Sequence, residues 1–333
     1  MSAAIRTDAL TKDYAVGFWR KRPYRALDAL TLEVPAGEVF GFLGPNGAGK
    51  TTTLKLLMQL IYPTSGRAEI LGRPAGDVAT RRRIGYLPEN PYFYDYLTAE
   101  ELLHYFGRLF GFAQADRRRR VDALLDRVGI AGERRLQLRK FSKGMLQRVG
   151  IAQALLNDPD VVFLDEPMSG LDPIGRRDVR ALILDLRDQG RTVFFSSHIL
   201  ADAEALCGRV AIVAAGRLAA IGRLSDLHAF QARGWEMVVA GLTPDVVARL
   251  APGVTRATQI SPGRYTLELS LSQPPEALLP DLTAAGGSMV SLNPLRVSLE
   301  DFFMQRVAAV GHGARGETPG DAGGPAAAAG SGA

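Results

Sequence analysis

A single cysteine, Cys207, stands in a chain of 333 residues. No disulfide framework can form from it, and a reducing cytosol is the compartment that suits such a chain best. Long apolar runs are missing too. Uninterrupted stretches such as Val210 to Ala215 fall far short of the roughly 18 to 20 residues that a bilayer-spanning helix needs. The opening segment, MSAAIRTDALTKDY, lacks the apolar centre of a secretory signal. Strong charge of one sign is absent as well: 40 Lys and Arg oppose 35 Asp and Glu, a formal +5. That excess suits a lipid surface, nucleic acid or neither. Its clusters are Arg20-Lys21-Arg22, Arg81 to Arg83 and Arg117 to Arg120. The last precedes Val121, Leu124, Leu125 and Val128 at helical spacing, which predicts a solvated helix face.

What is present is a globular composition, 47% hydrophobic, enough for one large α/β unit and a smaller second one. Val39 to Leu43, Ile84 to Leu87, Val161 to Leu164 and Thr192 to Phe195 are short apolar runs rich in branched or aromatic residues. They read as strands buried on both faces, with helices expected on either side. Candidate helices run over Thr51 to Leu60, through Leu102, Leu103, Phe106, Leu109 and Phe110, and over Arg176 to Arg187. Alternating strands and helices predict a mostly parallel sheet.

The pattern changes near Ala232. Strand-like Trp235 to Val239, helix-like Thr243 to Leu250, strand-like Arg256 to Ile260 and Tyr265 to Leu271, helix-like Pro275 to Ala284 and strand-like Met289 to Leu292 give the order βαββαβ, the ferredoxin-like split unit. A last short helix is expected from Ser298, with Asp301 as its capping-box acid and Leu299, Phe302, Phe303 and Val307 as its apolar side. From Gly311 onward the sequence holds no Leu, Ile, Val or aromatic residue, so a disordered tail is expected.

Three segments carry chemistry. Gly44-Pro45-Asn46-Gly47-Ala48-Gly49-Lys50-Thr51 matches G-x-x-x-x-G-K-[ST] between a buried strand and a helix. Its glycines let backbone amides and the helix N-terminus face a polyphosphate while Lys50 adds a full positive charge; Thr51 would ligate Mg²⁺, and Thr52 is counted with the loop among the nucleotide-binding residues. Val161 to Glu166 is a buried strand ending in two carboxylates. Asp165 is the candidate for the Mg²⁺ shell and Glu166 for the general base that polarises the attacking water. His198 follows a further apolar strand and should emerge at the same sheet edge, within reach of the γ-phosphate or the water.

In this order the motifs resemble the ABC ATPase family over roughly Ile5 to Leu227. Phe141-Ser142-Lys143-Gly144-Met145 stands where that family has LSGGQ, with Ser142 and Gly144 matching and Lys143 and Met145 departing. The resemblance implies that Ser142 and Gly144 bind the γ-phosphate of ATP held by a second cassette. It implies that Tyr14 stacks on adenine and that Asp172, in Ser169-Gly170-Leu171-Asp172, communicates across the dimer. Glu89 stands where most members carry a Mg²⁺-touching glutamine. Tyr92 to Tyr96 are read as a docking surface for a membrane subunit.

The expected fold is α/β: a P-loop NTPase cassette of ABC type over 1–230, with a mostly parallel sheet and a helical subdomain at about 90–157. A small α+β domain over 232–308 and a tail over 309–333 follow. The implied function is the Mg²⁺-dependent ATP-hydrolysing motor of an exporter, peripheral on the inner face of the cell membrane. Its partners would be a separate permease and a second cassette, with no nucleic acid. The competing readings are a soluble ATPase acting on ribosomes or DNA and an ATP-binding regulator with little hydrolysis. A single cassette without a long coiled coil disfavours the first, and retention of Glu166, Asp172 and His198 disfavours the second.

Overall fold

The computed structural model describes residues 3–17, 19, 21–229, 232–250, 253–296 and 303–304. Two long antiparallel strands, β1 (Ala3–Val16) and β2 (Arg22–Pro35), precede β3 (Val39–Leu43), which passes through the glycine-rich loop into α1 (Lys50–Leu57). β4 (Ser65–Ile70), β5 (Arg73–Pro74) and α2 (Val78–Arg81) lead to β6 (Ile84–Leu87). Three helices follow, α3 (Ala99–Leu109), α4 (Gln114–Arg127) and α5 (Lys143–Leu155). The chain then alternates through β7 (Val161–Asp165), α6 (Pro173–Asp188), β8 (Thr192–Ser197) and α7 (Leu200–Leu206), and closes this part with β9 (Arg209–Ala214), β10 (Arg217–Arg223) and α8 (Leu224–Ala229).

The central sheet has the order β10-β9-β3-β8-β7-β6. Its neighbours from β9 to β6 are parallel, and β10 is an antiparallel edge. Every residue of β3, β7 and β8 is buried, because each face of the sheet meets a different core. Phe40, Phe42, Phe163 and Phe194 point to one side, where Phe194 lies 5.6 Å from Phe40 and 5.7 Å from Phe163. Val39, Leu43, Val162, Leu164, Val193 and Phe195 point to the other, against the helical layer. This two-sided burial is why the strands read as unbroken apolar runs.

Helices were expected on both faces and are found there, but one face carries a sheet as well. The phenylalanine face is covered by α1 together with an antiparallel sheet of order β2-β1-β4-β5, through Ile5, Leu10, Leu27 and Leu30. The alternation that announces a half-buried strand is broken in β1 by register shifts and by buried Thr7 and Thr11. The predicted helix from Thr51 to Leu60 also ends early, at Leu57, and Gln59 takes a left-handed φ of 50°. The arginine run on α4 is solvated only in part. Arg118 and Arg119 are exposed, but Arg117 bonds His104 and Arg120 lies 4.6 Å over the Phe112 ring, both half-buried.

The remaining strands, β11 (Ala232–Ala240), β12 (Arg256–Ser261), β13 (Arg264–Ser270) and β14 (Ser288–Arg296), form a separate sheet of order β12-β13-β11-β14 with every pair antiparallel. Strand β13 is thereby inserted between β11 and β12, as the ferredoxin-like order requires. Helices α9 (Pro244–Leu250) and α10 (Leu279–Ala284) cover one face through Val247, Leu250 and Leu282 over Met237, Val239 and Leu267. The helix predicted over Pro275 to Ala284 divides into a 3₁₀ turn, Pro275–Leu278, and α10, because Pro280 has no N–H to continue one ladder. Phe303 is helical and buried in the same apolar cluster as Leu206 and Leu224. Ser298, Leu299, Asp301, Phe302, Val307 and the predicted tail lie outside the described residues.

Candidate active site

The glycine-rich loop owes its course to two close approaches. A Cβ at Gly44 would stand 2.5 Å from the Val213 carbonyl oxygen, and Gly49 turns at φ 107° with a would-be Cβ 2.8 Å from the Ala26 carbonyl oxygen. Only glycine fits either place. The loop delivers the chain to the N-terminus of α1, whose first turn holds no acidic residue, so its free N–H groups keep their positive field. The side chain of Lys50 folds back over the loop and donates to the carbonyl oxygens of Gly44 (2.8 Å) and Pro45 (3.3 Å).

The two carboxylates sit at the end of β7, beside the end of β8. Ser196 Oγ donates to Asp165 Oδ1 at 2.5 Å and accepts from the Glu166 N–H at 3.1 Å. One hydroxyl thus fixes both acids. Glu166 is held at φ 49°, a left-handed conformation that costs a non-glycine residue roughly 1–3 kcal/mol. Its Oε1 lies 3.3 Å from Lys50 Nζ, and its Oε2 lies 2.9 Å from His198 Nδ1. A carboxylate only accepts, so Nδ1 carries the proton and Nε2 is the ring nitrogen left to bond elsewhere.

Asp165 is fully buried, and burial pushes its carboxyl above the ordinary carboxylate range. The hydrogen bond from Ser196 and the neighbouring Thr51 hydroxyl oppose this, while the charges of Glu89 and Glu166 add to it. Its Oδ2 has no hydrogen-bond partner. A buried anionic oxygen without a partner is what a divalent cation would satisfy. Among the described residues no group of three or more His, Cys, Asp or Glu could hold a metal alone. Mg²⁺ would therefore be held by Asp165, Thr51 and Glu89 with oxygens from nucleotide and water, an all-oxygen set that suits it.

A cavity of about 330 Å³ gathers Tyr14, Asn46, Gly47, Gly49, Lys50, Thr51, Thr52, Glu89 and Glu166. Gly44, Pro45 and Ala48 belong to the same loop, and Asp165 and His198 are linked to the site through Ser196 and Glu166. Two further lining residues, Tyr24 and Ala26, escaped the sequence reading. Tyr24 pairs directly with Tyr14 across β1 and β2, so the only signal for it was the strand register. Ser196 was missed too, although it lies two residues before His198.

Ser142, Gly144 and Asp172 are not brought to this cavity. With Lys143, Met145 and Gly170 they line another, of about 450 Å³. Ser142 caps α5 by accepting from Met145 N–H at 3.3 Å, and Asp172 caps α6 by accepting from Gly175 N–H at 2.8 Å. Gln147 is buried and donates to the Pro167 carbonyl at 3.0 Å, tying α5 to the segment just after Glu166. Lys143 lies along Gly170.

A family model described as ABC transporter matches residues 27–169. An uncharacterized ABC transporter ATP-binding protein of Synechocystis sp. is 46% identical over 305 residues, spanning 91% of this chain and 84% of that protein. The chain belongs to the ABC transporter ATP-binding family. A protein of Mycobacterium tuberculosis named fluoroquinolones export ATP-binding protein is 38% identical over 234 residues, 70% of this chain and 76% of that one. Among solved structures, the dimeric post-hydrolysis state of an ATP-binding cassette bound to ADP and Pi superposes with a TM-score of 0.61 at 26% identity, over 66% of this chain and 98% of that one. This ABC chain is accordingly an ATP-binding subunit of a family that hydrolyses ATP. Among its described residues no helix is long and apolar enough to cross a membrane.

Proposed function

We propose that the chain is the Mg²⁺-dependent motor of an ABC exporter, paired with a second cassette and driving a permease encoded as a separate chain. The observation that carries this reading is the placement of Glu166 between Lys50 and His198 at the floor of the cavity. Lys50 and the amides at the start of α1 bind the β- and γ-phosphates. Tyr14 and Tyr24 flank the base. Glu166 orients the attacking water and accepts its proton, held in place by the Ser196 hydroxyl and by His198. Bound Mg²⁺ would neutralise charge on the phosphate oxygens.

The second cavity, with Ser142 and Gly144 at a helix N-terminus, suits the γ-phosphate of ATP held by the other cassette. That two-chain site is supported by the separation of the two cavities within one chain. Export is favoured by the similarity to relatives such as the fluoroquinolones export protein of Mycobacterium tuberculosis. The exposed Tyr92, Tyr94 and Tyr96 are assigned to the permease, while Phe93 packs into the helical core.

Affinity purification from detergent-solubilised membranes, with ATP turnover measured with and without Mg²⁺, tests the reading. Co-purification of a multi-spanning protein and Mg²⁺-dependent turnover are expected. Ribosomal or DNA-repair proteins, with nothing from the membrane, would replace the motor with a soluble ATPase.

A further inference from the structure

The hairpin of β1 and β2 reaches well past the sheet it belongs to. Strand β1 loses its other neighbour, β4, after Thr11, yet continues paired with β2 to Val16 opposite Arg22. Five further residues carry the tip roughly 17 Å beyond the last bridge to β4, at about 3.4 Å per residue. Every described residue from Ala15 to Arg25 is exposed. A bare two-stranded ribbon is marginal in water, so such an arm calls for something to lie against.

The chemistry at its tip is specific. Trp19 is 92% exposed, Val16 56% and Tyr24 52%. Between Asp13 and Asp28 the sequence contains no acid but has Arg20, Lys21, Arg22 and Arg25. Arg25 is neutralised, pairing with Asp13 at 2.9 Å and Asp28 at 3.1 Å. Lys21 and Arg22 have no ion-pair partner among the described residues. An exposed indole beside uncompensated cations matches the water–bilayer boundary, where Trp rings settle and basic groups meet anionic headgroups.

We infer that the tip of the β1–β2 hairpin, through Trp19, Lys21 and Arg22, is a docking element for an anionic lipid surface. The inference stands apart from the motor reading, since it concerns lipid rather than the permease or ATP turnover. The arm begins at the Tyr14–Tyr24 pair of the nucleotide cavity, so the lipid contact and the cavity share one ribbon.

The full chain, in a Trp235→Phe background that leaves Trp19 as its only tryptophan, is mixed with vesicles of phosphatidylcholine alone or with phosphatidylglycerol. Co-sedimentation and a blue shift of Trp19 emission are expected with the anionic vesicles only, and high salt should reverse both. Each cation near such a surface raises partitioning roughly fivefold. Lys21→Gln with Arg22→Gln should therefore weaken it about 25-fold, and Trp19→Ala should also weaken it, with ATP turnover in the absence of vesicles unchanged. Equal binding to neutral vesicles, or variants that bind like the parent, would overturn the inference. Tighter binding to a single-stranded oligonucleotide, lost in the same variants, would overturn it in favour of a nucleic-acid contact. Because turnover is read in parallel, failure here is distinguishable from failure of the motor reading.

Discussion

Lys50 and Glu166 face each other as a buried ion pair, Nζ 3.3 Å from Oε1, with 7% and 8% of their side chains exposed. In this pair the cation assigned to phosphate and the base assigned to water neutralise each other. A phosphate bound at the loop would compete with Glu166 for Lys50. Glu166→Gln should then bind ATP more tightly while turnover falls by about 10²–10⁴-fold, and it should hold two cassettes together around unhydrolysed ATP. Nucleotide titration, turnover and size-exclusion chromatography check this; wild-type turnover in the variant would remove Glu166 as base. Lys50→Ala should instead lose ATP affinity. Its thermal stability should fall by less than the roughly 3–5 kcal/mol of an orphaned buried charge, because His198 still reaches Glu166.

Ser196 holds Asp165 and Glu166 with one hydroxyl. Ser196→Ala should destabilise the fold by about 1.5–3 kcal/mol, the range for a hydrogen bond to a charged group. It should also lower turnover more than it raises the KM for ATP, since the loop that binds phosphate is untouched. Thermal melting and steady-state kinetics separate the two effects. Unchanged turnover would mean that the strained turn at Glu166 holds without it.

Tyr86, on β6 beside the cavity, has its phenol pushed up to about 12, first by burial and then by the charges of Asp165 and Glu89. The unfolded chain ionises near 10. The unfolded state therefore releases this proton first. The stability Tyr86 contributes is full below about pH 10 and is lost as the pH rises toward 12. Tyr86→Phe should flatten that alkaline loss, measured by denaturant midpoints against pH. Glu89→Gln should lower the Tyr86 midpoint in an absorbance titration. No change there would show that the Glu89 carboxylate does not act on the site's interior.

Tyr94 lies 5.9 Å from Tyr96 and 6.4 Å from Tyr105, an aromatic group open to solvent on one side. Tyr94→Ala with Tyr96→Ala should reduce co-purification of the permease while leaving ATP binding unchanged. Recovery of the partner in undiminished yield would reassign the tyrosines to packing of the helical layer.

Much of this was legible in the residues, for identifiable reasons. Strands β3 and β6 match their predicted spans: β3 is buried throughout, and β6 alternates half-buried and buried residues with no charged side chain inside it. Strands β7 and β8 run on to Asp165 and Ser197, past the apolar stretch, so sequence reading stopped short of Ser196, a polar residue that is wholly buried. The ferredoxin-like order was readable because β13 alternates cleanly between buried and half-exposed residues. The antiparallel cover over the phenylalanine face was not readable, since bulges and inward threonines blur the period of β1. Tyr24 became visible only when the register placed it opposite Tyr14.

Phe303 stands in the cassette's apolar cluster with Leu224, although the whole sheet from β11 to β14 lies between them in sequence. That sheet is consequently tethered at both ends, as a handle is to a cup. A body fixed at two points keeps one easy rotation, about the line that joins them, and a pull on either anchor is felt at the other. A turn of the handle would press on Leu224 and Phe303, two side chains packed in the layer that also carries the helices α3 to α6.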